Sequence, residues 1–145
     1  MHTFTIKPIR ELVQRYVGDG KGWIDPFAGE NSPAEYTNDL NPAKPTKYHL
    51  HALEFAKLLD GPFNGCLFDP PYSLTQIKQC YQDVGCEDFM KQDASHFPYD
   101  IKREIAKKNQ TRRHCYLLRM EQRRFWQETR LRDAGDIACP SWPHT

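Results

Sequence analysis

Short apolar stretches alternate with helical periods over residues 1–108. A helical spacing of apolar side chains predicts helices over four ranges, at residues 6–17, 53–59, 74–81 and 101–108. Apolar stretches bounded by turn-forming residues predict strands over four further ranges, at residues 23–24, 35–37, 48–52 and 65–68. Because strands and helices alternate, the pattern predicts an α/β fold with a parallel sheet and helices on both of its faces.

The apolar run 65–68 is followed directly by Asp69-Pro70-Pro71-Tyr72. In an open α/β sheet, ligands bind just beyond the carboxyl ends of the strands, so this segment is an expected active-site edge. Two successive prolines fix φ and supply no N–H, which holds the Asp69 carboxylate, the Pro70 carbonyl and the Tyr72 ring in one rigid array. Such an array suits an amino group on a planar base, because the oxygens accept its N–H bonds while the ring stacks on its face.

A second motif lies upstream, at Asp25-Pro26-Phe27-Ala28-Gly29, where the first predicted strand ends. The two segments resemble the cofactor-binding motif and the D-P-P-Y signature of the amino-group DNA methyltransferases, of the phage type, and they occur in the order that this family requires. The resemblance implies a Rossmann-like methyltransferase sheet and S-adenosylmethionine as the cofactor. It further implies that Asp25, Phe27 and Gly29 line the cofactor pocket. The chain departs from the family after Gly29, because residues 30–32 are not the usual small residues.

Three further residues have candidate roles around the cofactor. Asp39 follows the second predicted strand, where a carboxylate can accept hydrogen bonds from both ribose hydroxyls; an Asx turn before Pro42 is the alternative. The resemblance implies that Lys7 helps to hold the methionine end of the cofactor, with plain packing of this segment as the alternative. The resemblance places His51 near the adenine ring of the cofactor; a surface or partly buried histidine without a cofactor contact is the alternative.

The resemblance implies direct transfer of the methyl group from the sulfonium of S-adenosylmethionine to the exocyclic amine of an adenine flipped out of DNA. Asp69, Pro70, Pro71 and Tyr72 form the catalytic segment. Asp69 and the Pro70 carbonyl accept the N–H bonds of the amine, and Tyr72 stacks on the base. Cytosine in DNA, an RNA base and a glutamine side chain remain alternative acceptors, and the acid at the first position favours adenine by resemblance.

The composition bears on membrane insertion, metal binding and the class of partner. No segment approaches the roughly 20 apolar residues that a membrane span needs, and the N-terminus has no basic-then-apolar signal layout, so we expect a soluble, cytoplasmic protein without a membrane partner. The five cysteines have no C-x-x-C spacing and no nearby set of histidines, which predicts reduced thiols and no metal site. The net charge of +1 indicates no class of partner, and the sequence does not indicate an oligomeric state.

The composition changes abruptly after Lys108. Residues 1–108 contain ten lysines and three arginines, whereas residues 109–145 contain seven arginines, no lysine and one glycine. An Arg-rich segment with interleaved aromatic residues is typical of a surface that binds DNA phosphates. A helix over residues 116–132 in a non-enzymatic DNA-binding fragment is therefore one interpretation.

A shifted reading frame is the interpretation that we favour. The tail can be back-translated and read in a frame that joins the last two bases of each codon to the first base of the next. With suitable synonymous codons, this shifted frame encodes KIKPGGIVISFGWNSGGFGKKRGF and then EMLEILLVPHG. The P-G-G turn and the apolar strands of this shifted sequence resemble the C-terminal strands of the family. Any choice of codons turns Met120-Glu121 into Trp and Trp126-Gln127 into Gly. The codons of residues 107–109 form an A-rich run on which a one-base slip is easy. We therefore expect residues 1–108 to form a partial Rossmann-like core, and residues 109–145 to be a frameshifted, poorly ordered tail.

In this hypothesis the C-terminal strands of the sheet are missing or replaced. Their loss removes apolar surface that the sheet and its helices should bury, at about 25 cal/mol per Å². A small domain has only about 5–15 kcal/mol of net stability to lose. The sequence therefore predicts that the chain as written is poorly stable and inactive.

Overall fold

The computed structural model describes residues 7–71, 73–85, 97–108, 116–121 and 125–130. Within these ranges the backbone alone is described for Pro8, Ile9, Leu12, Leu74, Phe97 and the two segments beyond residue 115. The described helices are α1 (Lys7–Val17), α2 (Ala52–Leu58), α3 (Leu74–Asp83) and α4 (Phe97–Lys108). The described strands are β1 (Trp23–Asp25), β2 (Tyr36–Thr37), β3 (Gly65–Phe68), β4 (Tyr116–Glu121) and β5 (Phe125–Arg130). No helix within the described ranges is long and apolar enough to cross a membrane.

The strands form one sheet in the order β2-β1-β3-β4-β5. β1 pairs in parallel with both β2 and β3, β3 pairs in parallel with β4, and β5 returns antiparallel to β4. The chain therefore leaves β1 towards β2 on one side and comes back to place β3 on the other side. This reversal of direction makes the gap between the carboxyl ends of β1 and β3 a topological switch point, where ligands bind in open α/β sheets.

A hydrophobic core lies between the sheet and two helices. Cys66 and Phe68 point to the same face of β3, because alternate strand residues share a face. They belong to one buried cluster with Phe55 of α2 and with Ile101 and Ile105 of α4. All five are fully buried, so α2 and α4 cover this face of the sheet.

Position 65 requires a glycine because the Trp23 side chain on β1 lies against it. The register pairs Gly65 with Trp23, and a Cβ atom on Gly65 would lie 2.5 Å from a carbon of the Trp23 indole ring. No real Cβ contact is that short. The glycine therefore provides the space that the indole occupies between the two strands.

The predicted strand over residues 48–52 is wrong. Tyr48 makes one isolated bridge to Asn38, and α2 already begins at Ala52. The physical reason is that the backbone N–H and carbonyl of Leu50 are hydrogen-bonded by the side chain of Asn38 and not by a neighbouring strand. The other predicted elements up to Lys108 are present, with bounds that differ by a few residues.

The interpretation of residues 116–132 as a helix is also wrong. The described parts of this range, β4 and β5, are strands that extend the sheet beyond β3. Phe68 of β3 is aligned with Arg119 of β4, and Glu121 is aligned with Phe125 of β5. The division of the chain after Lys108 and the frameshift stay predictions.

Candidate functional site

A cavity of about 400 Å³ lies at the carboxyl ends of β1, β2 and β3. Its walls come from the segment after β1, the segment after β2, the residues before α2, the residues after β3 and one side of α3. Volumes of about 300–1,000 Å³ are typical of small-molecule sites. The cavity therefore has the size and the place in the sheet that a ligand site requires.

Most of the predicted site residues meet in this cavity. The predicted site residues that line the cavity are Phe27, Gly29, Asp39, Asp69, Pro70 and Pro71. The structure thus brings the upstream motif and the D-P-P segment to one cavity. Tyr72 lies outside the described residues, so its stacking role stays a prediction. Lys7 is exposed at the start of α1 and is not among the described residues that line the cavity.

Asp25 lies beneath the cavity instead of lining it. The residue is 1% exposed, and its carboxylate accepts hydrogen bonds from the Phe27 N–H at 3.0 Å and from the Ser32 hydroxyl at 2.6 Å. Burial raises the pKa of Asp25 to about 7, against the lowering effect of these hydrogen bonds, and the charges of Asp69 and Asp39 raise it further. Asp25 therefore shapes the segment that carries Phe27.

The Asp39 carboxylate forms the predicted Asx turn and also contacts the upstream motif. Its Oδ1 accepts from the Asn41 N–H at 2.8 Å, which is the Asx turn, and its Oδ2 accepts from the Gly29 N–H at 3.1 Å. Gly29 has a φ of +59°, a left-handed conformation that favours glycine. Each carboxylate oxygen has a second lone pair, so Asp39 can also accept hydrogen bonds from a ligand in the cavity.

Phe27, just after β1, packs against Phe68 at the end of β3. Its ring meets Phe68 edge to face, with ring centroids 5.5 Å apart and an interplanar angle of 84°. Aromatic pairs prefer this geometry, because the positive ring edge faces the negative ring face. Phe27 is half-buried and lines the cavity, so it offers an apolar surface whose position is fixed by the core beneath it.

The α3 wall was not predicted from the sequence. Ser73 caps α3 by accepting a hydrogen bond from the Gln76 N–H at 3.1 Å, and Gln76, Gln79 and Cys80 then line the cavity. Burial raises the pKa of the Cys80 thiol, which favours its uncharged form. The helix itself was predicted over residues 74–81, and the serine three residues before a glutamine is a capping signature that supports its start; its contribution to the cavity was not predicted.

An ion pair between two lining residues links two walls of the cavity. The Lys44 ammonium lies 2.7 Å from a Glu30 carboxylate oxygen, and this hydrogen bond raises the pKa of Lys44. The pair connects the segment after β1 to the segment after β2. Both side chains are partly exposed, so solvent screens the pair and it contributes little to stability. The partners are fourteen positions apart in the chain, which explains why the sequence did not indicate the pair.

His51 is partly buried at the start of α2. Its Nδ1 accepts a hydrogen bond from the Leu53 N–H at 3.3 Å and caps α2. Its ring lies 5.8 Å from the ring of Tyr81, which does line the cavity. Burial lowers the pKa of His51 and favours the neutral imidazole. Of the two sequence interpretations of His51, these contacts agree with the one in which it is a partly buried histidine.

The cavity combines fixed oxygen acceptors with an apolar surface. Asp39 and Asp69 supply carboxylates, while Phe27, Leu50 and Pro71 supply apolar atoms. Within the described residues, no group of three or more His, Cys, Asp or Glu side chains is arranged to hold a metal ion. Comparison with protein-family models gives no match, and comparisons with curated proteins and with solved structures give no significant match, so the site is interpreted from its own geometry.

Proposed function

We propose that residues up to Lys108 are the core of a Rossmann-like, S-adenosylmethionine-dependent methyltransferase, and that its substrate is the exocyclic amine of adenine in DNA. The observation that carries the proposal is the meeting of two motifs at one cavity. Phe27 and Gly29 of the first motif and Asp69 and Pro70 of the second line the same cavity of about 400 Å³ at the switch point of the sheet. The two motifs together support this function more strongly than either motif alone, because their order in the chain and their shared cavity both fit one reaction.

The cavity offers suitable contacts for each part of the cofactor. Asp39 can accept hydrogen bonds from the two ribose hydroxyls, because each of its oxygens keeps a lone pair beyond its backbone contact. Leu50 and Ala52 provide apolar surface near Asp39 for a planar base. Phe27 and Gly29 provide the wall against which the remainder of the cofactor would lie. The Asp39 carboxylate favours a ligand that carries the positive charge of a sulfonium.

The D-P-P segment supplies the acceptors that an attacking amine requires. The amine nitrogen forms a bond to the methyl carbon while the bond from that carbon to sulfur breaks, and the electron pair stays on sulfur as a neutral thioether. The methylated nitrogen then releases one proton to water. The Asp69 carboxylate and the Pro70 carbonyl, which both belong to lining residues, can accept the two N–H bonds and orient the nitrogen lone pair towards the methyl group. Pro70 and Pro71 keep these oxygens in place, because φ is fixed at both residues.

Methyl transfer to DNA with a labelled methyl group tests the proposal. We expect transfer from S-adenosylmethionine by the chain with its reading frame restored after Lys107. Asp69→Ala should lower the rate by about 100-fold or more, because it removes an acceptor positioned for the reaction. It should leave cofactor affinity within about threefold. Asp60→Ala removes an exposed acid in the turn after α2 and is the matched control.

Nucleoside analysis of the product identifies the acceptor. N6-methyladenine is the expected product, and methylcytosine would assign the site to the other exocyclic amine. Transfer that Asp69→Ala leaves unchanged would contradict the catalytic assignment. Absence of transfer together with absence of cofactor binding by the restored chain would contradict the proposed function.

A further inference from the structure

Asn38 is a buried amide whose side chain bridges two walls of the cavity. The residue is 0% exposed and follows β2 directly. Its Nδ2 donates to the Pro26 carbonyl at 3.1 Å and to the Leu50 carbonyl at 2.9 Å. Its Oδ1 accepts from the Leu50 N–H at 2.9 Å. Both donors of the amide are used, and Leu50 is held at both of its backbone polar groups.

The backbone of Asn38 adds two hydrogen bonds to the same region. Its N–H donates to the Asp25 carbonyl at 2.9 Å, and its carbonyl accepts from the Ala28 N–H at 2.8 Å. Asn38 is thus bonded to the end of β1, to the segment that carries Phe27 and to the segment before α2. Five hydrogen bonds therefore meet at one residue that also lines the cavity.

The chemistry of this position requires an amide. Aspartate has the same shape but no donor, so its carboxylate would face the carbonyl oxygens of Pro26 and Leu50. Leucine has a similar size but would leave those two carbonyls and the Leu50 N–H without the partner that Asn38 provides. A buried polar group that loses its partner is costly, so the flanking segments would separate to reach water.

We infer that Asn38 is a positioning residue of the cavity, which fixes the segment carrying Phe27 relative to the segment carrying Leu50. Both segments line the cavity, so their separation sets the width of the space between them. The inference rests on the proposed function where it concerns S-adenosylmethionine. The claim that one side chain couples the two segments is independent of the ligand.

Hydrogen exchange followed by mass spectrometry tests the coupling directly. In Asn38→Leu we expect exchange to be faster by at least about tenfold in peptides covering both residues 26–31 and residues 48–52. The matched control is Asn64→Asp, which removes an amide donor to the Lys21 carbonyl at 2.7 Å, before the start of β3. The control should leave both peptides unchanged. Faster exchange in one peptide alone, or equally in the control, would overturn the inference.

Cofactor affinity separates positioning from a general loss of stability. At a temperature where circular dichroism shows the restored wild-type chain and both variants to be folded, we expect S-adenosylmethionine to bind Asn38→Asp at least about tenfold more weakly than wild type. Asn64→Asp should bind it with wild-type affinity. Unchanged affinity in Asn38→Asp would overturn the positioning role while leaving the proposed function intact. Failure of the wild type to bind would contradict the proposed function, and the exchange experiment would still decide the coupling.

Native-state exchange on the unsubstituted chain covers the case in which the Asn38 variants do not fold. The amides of Ala28 and Leu50 both donate to Asn38. We expect them to exchange through one common opening, with the same dependence on low concentrations of denaturant. Different openings for the two amides would overturn the inference.

Discussion

Asp39 accepts a hydrogen bond from the Gly29 N–H across 3.1 Å and so joins the segments that follow β1 and β2. Gly29 belongs to the upstream motif, and Asp39 is predicted both from the resemblance and from its place after the second strand. The contact therefore gives Asp39 a structural role in addition to its proposed role as a ribose acceptor. The two roles can be separated by experiment.

Replacement of Asp39 should weaken cofactor binding. Asp39→Ala removes the proposed ribose acceptor and the contact to Gly29, and we expect the Kd for S-adenosylmethionine to rise by roughly 10-fold to 100-fold, since hydrogen bonds to charged groups contribute about 1.5–3 kcal/mol. Calorimetry on the restored chain measures this change. Asp19→Ala is the control, because the Asp19 carboxylate makes a similar turn contact to the Lys21 N–H at 3.0 Å before β1. Equal effects of the two substitutions would argue against a ligand contact by Asp39.

The buried Asp25 should make stability depend on pH. Its pKa is raised from an ordinary value of 3.8 to about 7, so between these pH values the unfolded chain releases a proton that the folded chain retains. The contribution is fully present below about pH 4 and is lost as the pH rises through about 7. This difference in pKa between the folded and the unfolded chain corresponds to a decrease on the order of 4 kcal/mol in the free energy of unfolding over that pH range.

Urea denaturation at several pH values between 4 and 8 measures this dependence. Asp25→Asn should reduce the slope of the free energy of unfolding against pH, because the amide does not titrate. The amide can still accept from the Phe27 N–H and donate to the Ser32 hydroxyl, so the local hydrogen bonds are kept. Asp60→Asn, in an exposed turn, should retain the slope of the wild type. A slope that Asp25→Asn leaves unchanged would show that other groups control the pH dependence.

Gly65→Ala should destabilise the sheet. The added Cβ would lie 2.5 Å from the Trp23 ring, and overpacking of this kind costs about 1–3 kcal/mol. The cost should be smaller in a Trp23→Leu background, where the indole is absent. A double-mutant cycle by chemical denaturation measures the difference. Equal costs in the two backgrounds would assign the effect to the strand backbone instead of the indole.

The frameshift hypothesis has its own test. Sequencing of the source DNA through the codons of residues 107–109 should reveal a one-base discrepancy in the A-rich run relative to sibling genes. The restored chain should also have a higher free energy of unfolding than the chain as written, because its apolar strands bury more surface. An intact run together with a restored chain of lower stability would contradict the hypothesis and would make β4 and β5 authentic parts of the fold.

The sequence predicted the parts of the fold that depend on local patterns. Helical spacing located α1 and α3, and apolar runs before Asp25 and Asp69 located β1 and β3. The convergence of Phe27 with Asp69 followed from the rule that ligands bind at the carboxyl ends of parallel strands. These predictions succeeded because each signal is contained in a few adjacent residues.

The parts that the sequence did not predict depend on contacts between distant residues. The side chain of Asn38 takes the place of a neighbouring strand for Leu50, and this contact turned a predicted strand into an irregular segment. The burial of Asp25 beneath the cavity follows from its hydrogen bond to Ser32 and from the surrounding fold. Neither contact leaves a periodic pattern in the chain, so pattern-based reasoning could not detect them.

Titration calorimetry with S-adenosylmethionine tests the central claim most directly. It should be run in parallel on the chain as written, on the chain with its frame restored after Lys107, and on the restored chain carrying Asp39→Ala. We expect the restored chain to bind one equivalent, the Asp39→Ala chain to bind more weakly, and the chain as written to bind weakly or not at all. Equal binding by the written and restored chains would contradict the frameshift, and absence of binding by both would contradict the assignment of the cavity to this cofactor.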